Sequence, residues 1–432
     1  FDRGELVHIQ TPKGSLRKRA DGRWARDARG QRTKLEGGEG GDLADCIIGT
    51  GLSGEKLPVI SSLLDKQQYE ALTREAERPL LILGGAGCGK TTVALHRLAY
   101  LAHQQPDVYA PENLFVIVPE EGLVRLTRSL LEELGMEGVG VSTIDAWFVE
   151  QAGKRLPELP TRLAVTTPAV VIRIKRHSAF CALLPMIAQQ AGRACARRID
   201  RALRTRDQFS SHYEGSDAEF PLQRLEAALE LMLSGRTDAE CETIRETAAE
   251  EISRFSSPLA DRERLLGDRD LLERVVRDAK GEIPTSAVKR VLEHTRLQDS
   301  PTAEQQFADV PEHNKRAVDG LSLDKDTPNE DAGSIDVEDF ALLLELDRQK
   351  RGRPISAHRS LRPYTHLVLD EAQELSEVEL LILGQAVATH GSVTVAGDAA
   401  QQIGAGTSFE SWDKVMGALG RGRAAPVTLE TS

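Results

Sequence analysis

Gly84-Gly85-Ala86-Gly87-Cys88-Gly89-Lys90-Thr91-Thr92 fits the pattern G-x-x-x-x-G-K-[ST] and stands where that pattern must stand. The apolar run Leu80-Leu81-Ile82-Leu83 before it reads as a buried strand, and Thr92 to Leu101 after it reads as a helix. Strand, glycine turn and helix N-terminus together make an anion site. Backbone N–H groups and the helix dipole point at a phosphate, Lys90 adds a point charge, and the Thr91 hydroxyl is placed to hold Mg²⁺. The alternative is a chance glycine–lysine turn, and the flanking strand and helix argue against it.

Working outward, strands at Leu80–Leu83 and Leu114–Val118 alternate with helices near 90–104 and 121–134, and Gly140-Val-Ser-Thr143 reads as a further strand. Alternating elements with apolar strands mean an α/β fold: a parallel sheet covered on both faces. The rhythm stops at residue 150 and resumes at His366-Leu-Val-Leu369, a helix from about Ser376 to Ala388, and the strand Ser392–Ala396. One nucleotide-binding domain (59–150 and 346–432) is therefore read as split by a mostly helical insertion, residues 151–345, long enough to be a domain itself. Within it, residues 297–336 are polar, acidic and poor in aromatics, which reads as a flexible linker or loop. Arg193, Arg197, Arg201 and Arg204 recur at helical spacing and form a basic stripe. That stripe is either a solvated face or a contact to phosphate or to an acidic protein groove. Residues 1–58 are glycine-rich and charged with short alternating runs, which suggests a β-rich module or arm. Its basic cluster (Arg17, Lys18, Arg19, Arg23, Arg26, Arg29, Arg32, Lys34) is either a set of solvated hairpin faces or a partner-binding patch.

The 432 residues carry a net charge of −12, which argues against coating nucleic acid by global attraction. The five cysteines, Cys46, Cys88, Cys181, Cys195 and Cys241, are scattered without a C-x-x-C pair. Neither a disulfide framework nor a zinc site is supported, and a reducing cytoplasm is the expected location. No apolar run reaches the roughly 18 residues a membrane span needs, so no membrane partner is expected. The oligomeric state is left open.

Leu367-Val-Leu-Asp370-Glu371-Ala372-Gln373 is an apolar strand ending in two carboxylates. At a strand's C-terminal edge Asp370 would hold Mg²⁺ through water, and Glu371 would orient and deprotonate an attacking water. Val395-Ala-Gly-Asp398-Ala-Ala-Gln401 then places an amide just past the next strand, where Gln401 would sense a γ-phosphate or the water.

Gly84–Thr92, Asp370–Gln373 and Gly397-Asp-x-x-Gln401 resemble motifs I, II and III of the UvrD/Rep-type superfamily 1 helicases. Leu64-Asp-Lys-Gln-Gln68 resembles the family's Q motif, and Val141-Ser-Thr143-Ile-Asp145-Ala-Trp147 its motif Ib. The resemblance implies a RecA-like sheet, with the insertion in the place of the 1B domain. It implies ATP and Mg²⁺ as cofactors. The nucleotide-binding set would be Gln68 on the adenine, Gly84, Gly85, Ala86, Gly87, Cys88, Gly89, Lys90, Thr91, Thr92 and Arg97. The catalytic set would be Lys90, Asp370, Glu371 and Gln401, with Thr91 and Asp370 at the metal. Leu95-His-Arg97-Leu-Ala-Tyr-Leu101, His366–Ser376 and the β-like N-terminal segment are similar to the HelD-like branch. Its members bind RNA polymerase and recycle stalled complexes.

Two positions depart from the strand-gripping relatives. Motif Ia here reads Pro119-Glu120-Glu121, whose carboxylates would repel a phosphate backbone. Gly404-Ala-Gly-Thr-Ser follows motif III where relatives carry base-stacking aromatics, each stack worth about 1–3 kcal/mol. Trp147 and Trp412 are candidates to compensate, but core packing is the default for each. These departures favour RNA polymerase over single-stranded DNA as partner. Alternatives are a single-stranded DNA translocase, a nucleotide-switched binding module without catalysis, or another P-loop enzyme such as a metabolic kinase. The chain opens on Phe1 and stops before the family's motifs IV to VI. The expectation is a part of a longer protein, without its second RecA-like domain, that binds ATP–Mg²⁺ and hydrolyses it slowly.

Overall fold

The computed structural model describes residues 8–11, 14–18, 24–26, 66–301, 331–352, 363–398, 409–422 and 424–429. At the N-terminus β1 (His8–Thr11), β2 (Gly14–Lys18) and β3 (Trp24–Arg26) pair antiparallel in that order.

The second sheet has six strands: β4 (Leu80–Leu83), β5 (Leu114–Val118), β6 (Gly140–Thr143), β7 (Tyr364–Leu369), β8 (Val387–Gly397) and β9 (Pro426–Thr428). All pairs are parallel, in the order β6-β5-β7-β8-β4-β9. Alternate residues point to opposite faces, and both faces are covered. Leu81, Phe115 and Ile117 join one apolar cluster, while Leu80, Ile82, Leu114, Val116 and Val118 join the other. The fold is thus the α/β P-loop arrangement read from the sequence. β7 begins two residues earlier than read, and β8 starts at Val387 instead of Ser392, with a register irregularity opposite Tyr364 and His366. Gly391 explains the close crossing there, since a Cβ would meet the Tyr364 and Thr365 carbonyl oxygens at 2.9 Å.

Helices α1 (Lys66–Thr73), α2 (Lys90–Gln104), α3 (Glu121–Glu133) and α4 (Ile144–Arg155) flank the first strands. The inserted stretch is helical: α5 (Ala169–Arg176), α6 (Ser178–Leu203), α7 (Gln208–Glu214), α8 (Pro221–Leu233), α9 (Asp238–Ser256), α10 (Pro258–Leu266), α11 (Arg269–Asp278) and α12 (Ser286–Gln298). The helix Val337–Arg351 returns the chain to the sheet, and Glu377–Ala386 and Trp412–Ala418 follow. One apolar cluster runs without a break from sheet residues such as Phe115, Leu367 and Val393 into Phe180, Leu184 and Val275 of the insertion.

The reading of 297–336 as a flexible stretch is corrected at both of its ends; residues 302–330 lie outside the described part. Gln298 and Asp336 are each 1% exposed. Lys175, fully buried, pairs with Asp336 at 2.5 Å and with Asp339, and Arg262 reaches Asp339 at 3.0 Å. His294 Nε2 and the Gln298 amide close on Asp336 at 3.0 and 2.7 Å. Burial alone would raise the Asp336 carboxyl. The hydrogen bond from His294 and the Lys175 ammonium outweigh it and hold the group well below the usual carboxylate range. Breaking such a buried pair by removing one partner typically costs about 3–5 kcal/mol, so acidity in this stretch anchors the chain.

Candidate nucleotide site

The phosphate loop leaves the C-terminal end of β4, the acidic residues leave β7, and Gly397 ends β8. In an open parallel sheet these ends are where ligands bind. β8 lies between β4 and β7, so the loop and the carboxylates face each other across one intervening strand.

Gly85, Ala86 and Gly87 form the exposed tip of the loop, while Cys88 is buried. Cys88 is packed with Leu80, Val93 and Leu429 in the apolar cluster under the loop. Gly89 caps α2 at φ +86°, a left-handed conformation that costs other residues strain. This turns α2 so that its free N–H groups open towards the loop. Lys90 is 5% exposed, and its ammonium donates to the carbonyls of Gly84 and Gly85 at 2.9 and 3.2 Å. It also stands 3.8 Å from Glu371 Oε1. Thr91 donates its hydroxyl to Asp370 Oδ2 at 2.7 Å, and Thr92 follows, half-buried, on the same turn. The Gln68 amide donates to the Cys88 carbonyl at 3.4 Å, so the start of α1 is brought against the loop.

Asp370 continues the β5–β7 ladder, its N–H donating to Ile117 O at 3.0 Å. Burial pushes its carboxyl above the usual range, against the Thr91 hydrogen bond, which favours the anion. Glu371 takes φ +50°, sparsely populated for a residue with a side chain and costing on the order of 1–3 kcal/mol. It is held there by its neighbours. Its N–H donates to Asp370 Oδ1 at 3.2 Å, and its carbonyl accepts the Glu374 N–H at 3.0 Å.

Gln373 is a candidate site residue that the sequence reading quoted without a role. Its amide donates to Glu371 Oε2 at 2.6 Å, and its carbonyl oxygen accepts the Asp398 N–H at 3.1 Å. It is 2% exposed. A Cβ at Gly397 would lie 2.6 Å from that Gln373 oxygen and 2.2 Å from the Trp412 ring, so only glycine admits this approach. Gln373 therefore ties the acidic turn to the end of β8.

Arg97 is a correction. Its guanidinium is fully buried away from the loop and donates to the carbonyls of Ala71, Leu72, Arg74 and Glu75 at 2.8–3.2 Å. These are carbonyls at and just past the C-terminus of α1, which lack partners within their own helix. Burial lowers the guanidinium to about 10. Arg97 braces the helix that carries Gln68, its guanidinium spent on the carbonyls of Ala71, Leu72, Arg74 and Glu75 and not on the phosphate loop. Gln401 lies outside the described residues. Trp147 is core, 1% exposed and bonded to the Tyr364 hydroxyl at 3.3 Å, so it is no stacking surface. Trp412 packs on Phe409 with ring centroids 4.8 Å apart. Glu120 and Glu121 are exposed beyond β5, and Arg193, Arg197, Arg201 and Arg204 are exposed along and just beyond α6, Arg193 paired with Glu214 at 2.9 Å.

Among the described residues no group of acidic, His and Cys side chains forms a separate metal site, and no helix is long and apolar enough to cross a membrane. A search of curated proteins finds no match. The family profile described as "AAA domain" matches residues 68–407, from Gln68 past the end of β8. The profile spans most of the chain and both halves of the site built above, and on that footing the chain belongs to the AAA domain family of P-loop proteins, a family also found in UvrD/Rep-like superfamily 1 helicases.

Proposed function

We propose that this chain is the ATP-hydrolysing part of a superfamily 1 motor of UvrD/Rep type. The observation that carries the reading is the contact of Thr91 with Asp370 at 2.7 Å, with Lys90 and Glu371 beside it. A hydroxyl and a carboxylate meeting across the sheet edge are hard oxygen donors of the kind Mg²⁺ takes. The residues present therefore fit ATP–Mg²⁺, with Thr91 and Asp370 at the metal. Bound there, the metal supplies charge neutralisation on the β- and γ-phosphates. Lys90 and the N-terminus of α2 bind and orient the phosphates. Glu371, aligned by Gln373, takes the proton from the attacking water. Gln68 supports the loop from the adenine side. A nucleotide switch without catalysis would need no residue in the place of Glu371.

Two substrates are compatible with this engine, and the surface favours a protein complex over a bare strand. Glu120 and Glu121 are exposed at the strand end where a phosphate backbone would pass, and Trp147 is buried. The resemblance to the HelD-like branch points to RNA polymerase, with a location in the cytoplasm. Single-stranded DNA translocation is the second reading, and the exposed arginines of α6 favour it. ATP turnover, measured alone, with single-stranded DNA and with RNA polymerase, separates them, with Glu371→Gln as control. Stimulation by DNA, lost in the control, would overturn the polymerase reading. Indifference to DNA with tight polymerase binding would sustain it. No turnover under any condition, matched by the control, would remove the enzyme reading.

A further inference from the structure

We infer that Arg176, carried by the first helix of the insertion, is a positioning residue for the acidic turn that holds Glu371. This deepens the proposed ATPase reading and rests on Glu371 as the water-activating carboxylate. Arg176 lies 198 positions before Glu374 in the chain, yet its Nη2 donates to the Glu374 carbonyl at 2.7 Å. The same nitrogen donates to Glu379 Oε2, also at 2.7 Å. Glu379 in turn accepts the Ser376 N–H at 2.7 Å in a capping box that starts the helix Glu377–Ala386. One guanidinium thus grips the segment after Glu371 at two points.

The grip matters because of what it holds. Residues Ala372–Glu374 form a single 3-10 turn, and its first hydrogen bond runs from the Glu374 N–H to the Glu371 carbonyl. That bond, together with the Gln373 amide, keeps Glu371 at its unfavourable φ. Fixing the Glu374 carbonyl fixes the far end of the turn. The hydrogen bonds of Lys90 and Thr91 run to Gly84, Gly85 and Asp370, so the phosphate loop's own bonds do not depend on the Glu374 carbonyl. Burial opposes the Arg176 charge, but Glu379 outweighs it, and Asp145 and Glu338 add to its field. Arg176 therefore stays cationic and bonded. The insertion thus adds, through Arg176, a support to this turn.

The test is single-turnover ATP hydrolysis and titration with a fluorescent ATP analogue, using the full chain carrying Arg176→Met or Arg176→Lys, beside Glu371→Gln. Arg176→Met should lower the hydrolysis rate on the order of 10–100-fold with nucleotide affinity within about twofold, as expected when an interaction supports only the chemical step. Lysine keeps the charge and enough donors for both acceptors but places its ammonium differently from Nη2, so Arg176→Lys should recover part of the rate. Arg176→Met combined with Glu371→Gln should be no slower than Glu371→Gln alone. An unchanged rate in folded Arg176→Met would overturn the inference, as would nucleotide affinity falling in step with the rate. Should Arg176→Met fail to fold, Arg176→Lys carries the test: reduced rate at intact affinity supports the inference, and an unchanged rate overturns it. Full turnover in Glu371→Gln would remove the ATPase reading itself, and the inference with it.

Discussion

The Gln373 side-chain amide donates to the Glu371 carboxylate at 2.6 Å, and the rest of that amide is spent on the backbone of Asp398. Two strand ends are therefore locked by one buried side chain. Glu371 is aimed by a residue whose hydrogen bonds run to the acidic turn and the end of β8, so its loss should act on the chemical step before nucleotide binding.

Gln373→Leu keeps the volume and removes both hydrogen bonds. Turnover should fall on the order of 10–100-fold, with nucleotide affinity nearly unchanged. Steady-state hydrolysis beside a nucleotide titration checks this. A variant as active as the parent would show that Glu371 needs no such alignment.

The Thr91–Asp370 contact predicts a different split. Thr91→Ser retains the hydroxyl and should bind Mg²⁺–nucleotide as the parent does. Thr91→Val should lose about tenfold or more in Mg²⁺-dependent affinity while leaving Mg²⁺-free nucleotide binding in place. Titrations with and without Mg²⁺ decide it. Equal losses in both would place Thr91 in the phosphate cradle alone.

Arg97 predicts a stability effect. Arg97→Ala strands four carbonyls at and just past the end of α1. The cost should be about 2–4 kcal/mol, read as a lower denaturant midpoint, and Arg97→Lys should restore only part of it. An unchanged midpoint would mean that water satisfies those carbonyls.

Glu338 predicts a pH dependence. Burial raises its carboxyl to about 7, Asp336 and Asp339 add to the rise, and Lys175 opposes it. Its Oε2 has no hydrogen-bond partner among the described residues. An acid raised from its ordinary 4.5 is protonated more readily in the folded state, so its contribution to stability falls as pH rises from about 4.5 to 7. Glu338→Gln should therefore raise the unfolding free energy at pH 8 by up to about 3 kcal/mol and change it little at pH 4.5, read from denaturant unfolding at both pH values. Equal effects at both pH values would show that the carboxyl is ordinary.

The local parts of this site were legible in the sequence. Gly89, Lys90 and Thr91 follow one another, and the apolar run ending in Asp370-Glu371 reads as a strand edge in a chain that also carries the phosphate loop. Position in a motif misled at Arg97. The residue stands on the helix that follows the phosphate loop, but two turns along, and its side chain turns to α1. Arg176 and Gln373 were not legible, for different reasons. Gln373 lay inside a quoted motif, but its bond to Asp398 depends on β8 ending beside β7. Arg176 meets Glu374 only because the insertion folds back onto the sheet. The acidic composition of 297–336 suggested solvation, whereas Asp336 has Lys175, His294 and Gln298 around it, and no local pattern reports that.

The strand order bears on how the chain is made. Among the described residues β4, which carries the phosphate loop, pairs only with β8 and β9. The Ser392 hydroxyl, midway along β8, bonds the carbonyl of Arg78, 314 positions earlier. During synthesis at about 5–20 residues per second, β4 leaves the ribosome tens of seconds before its neighbours exist. The run Leu80–Leu83 must wait with both edges open, and the insertion emerges in the interval. The nascent chain has a long window in which a hydrophobic strand needs shielding, and its yield should depend on chaperones and on translation speed more than its final stability would imply.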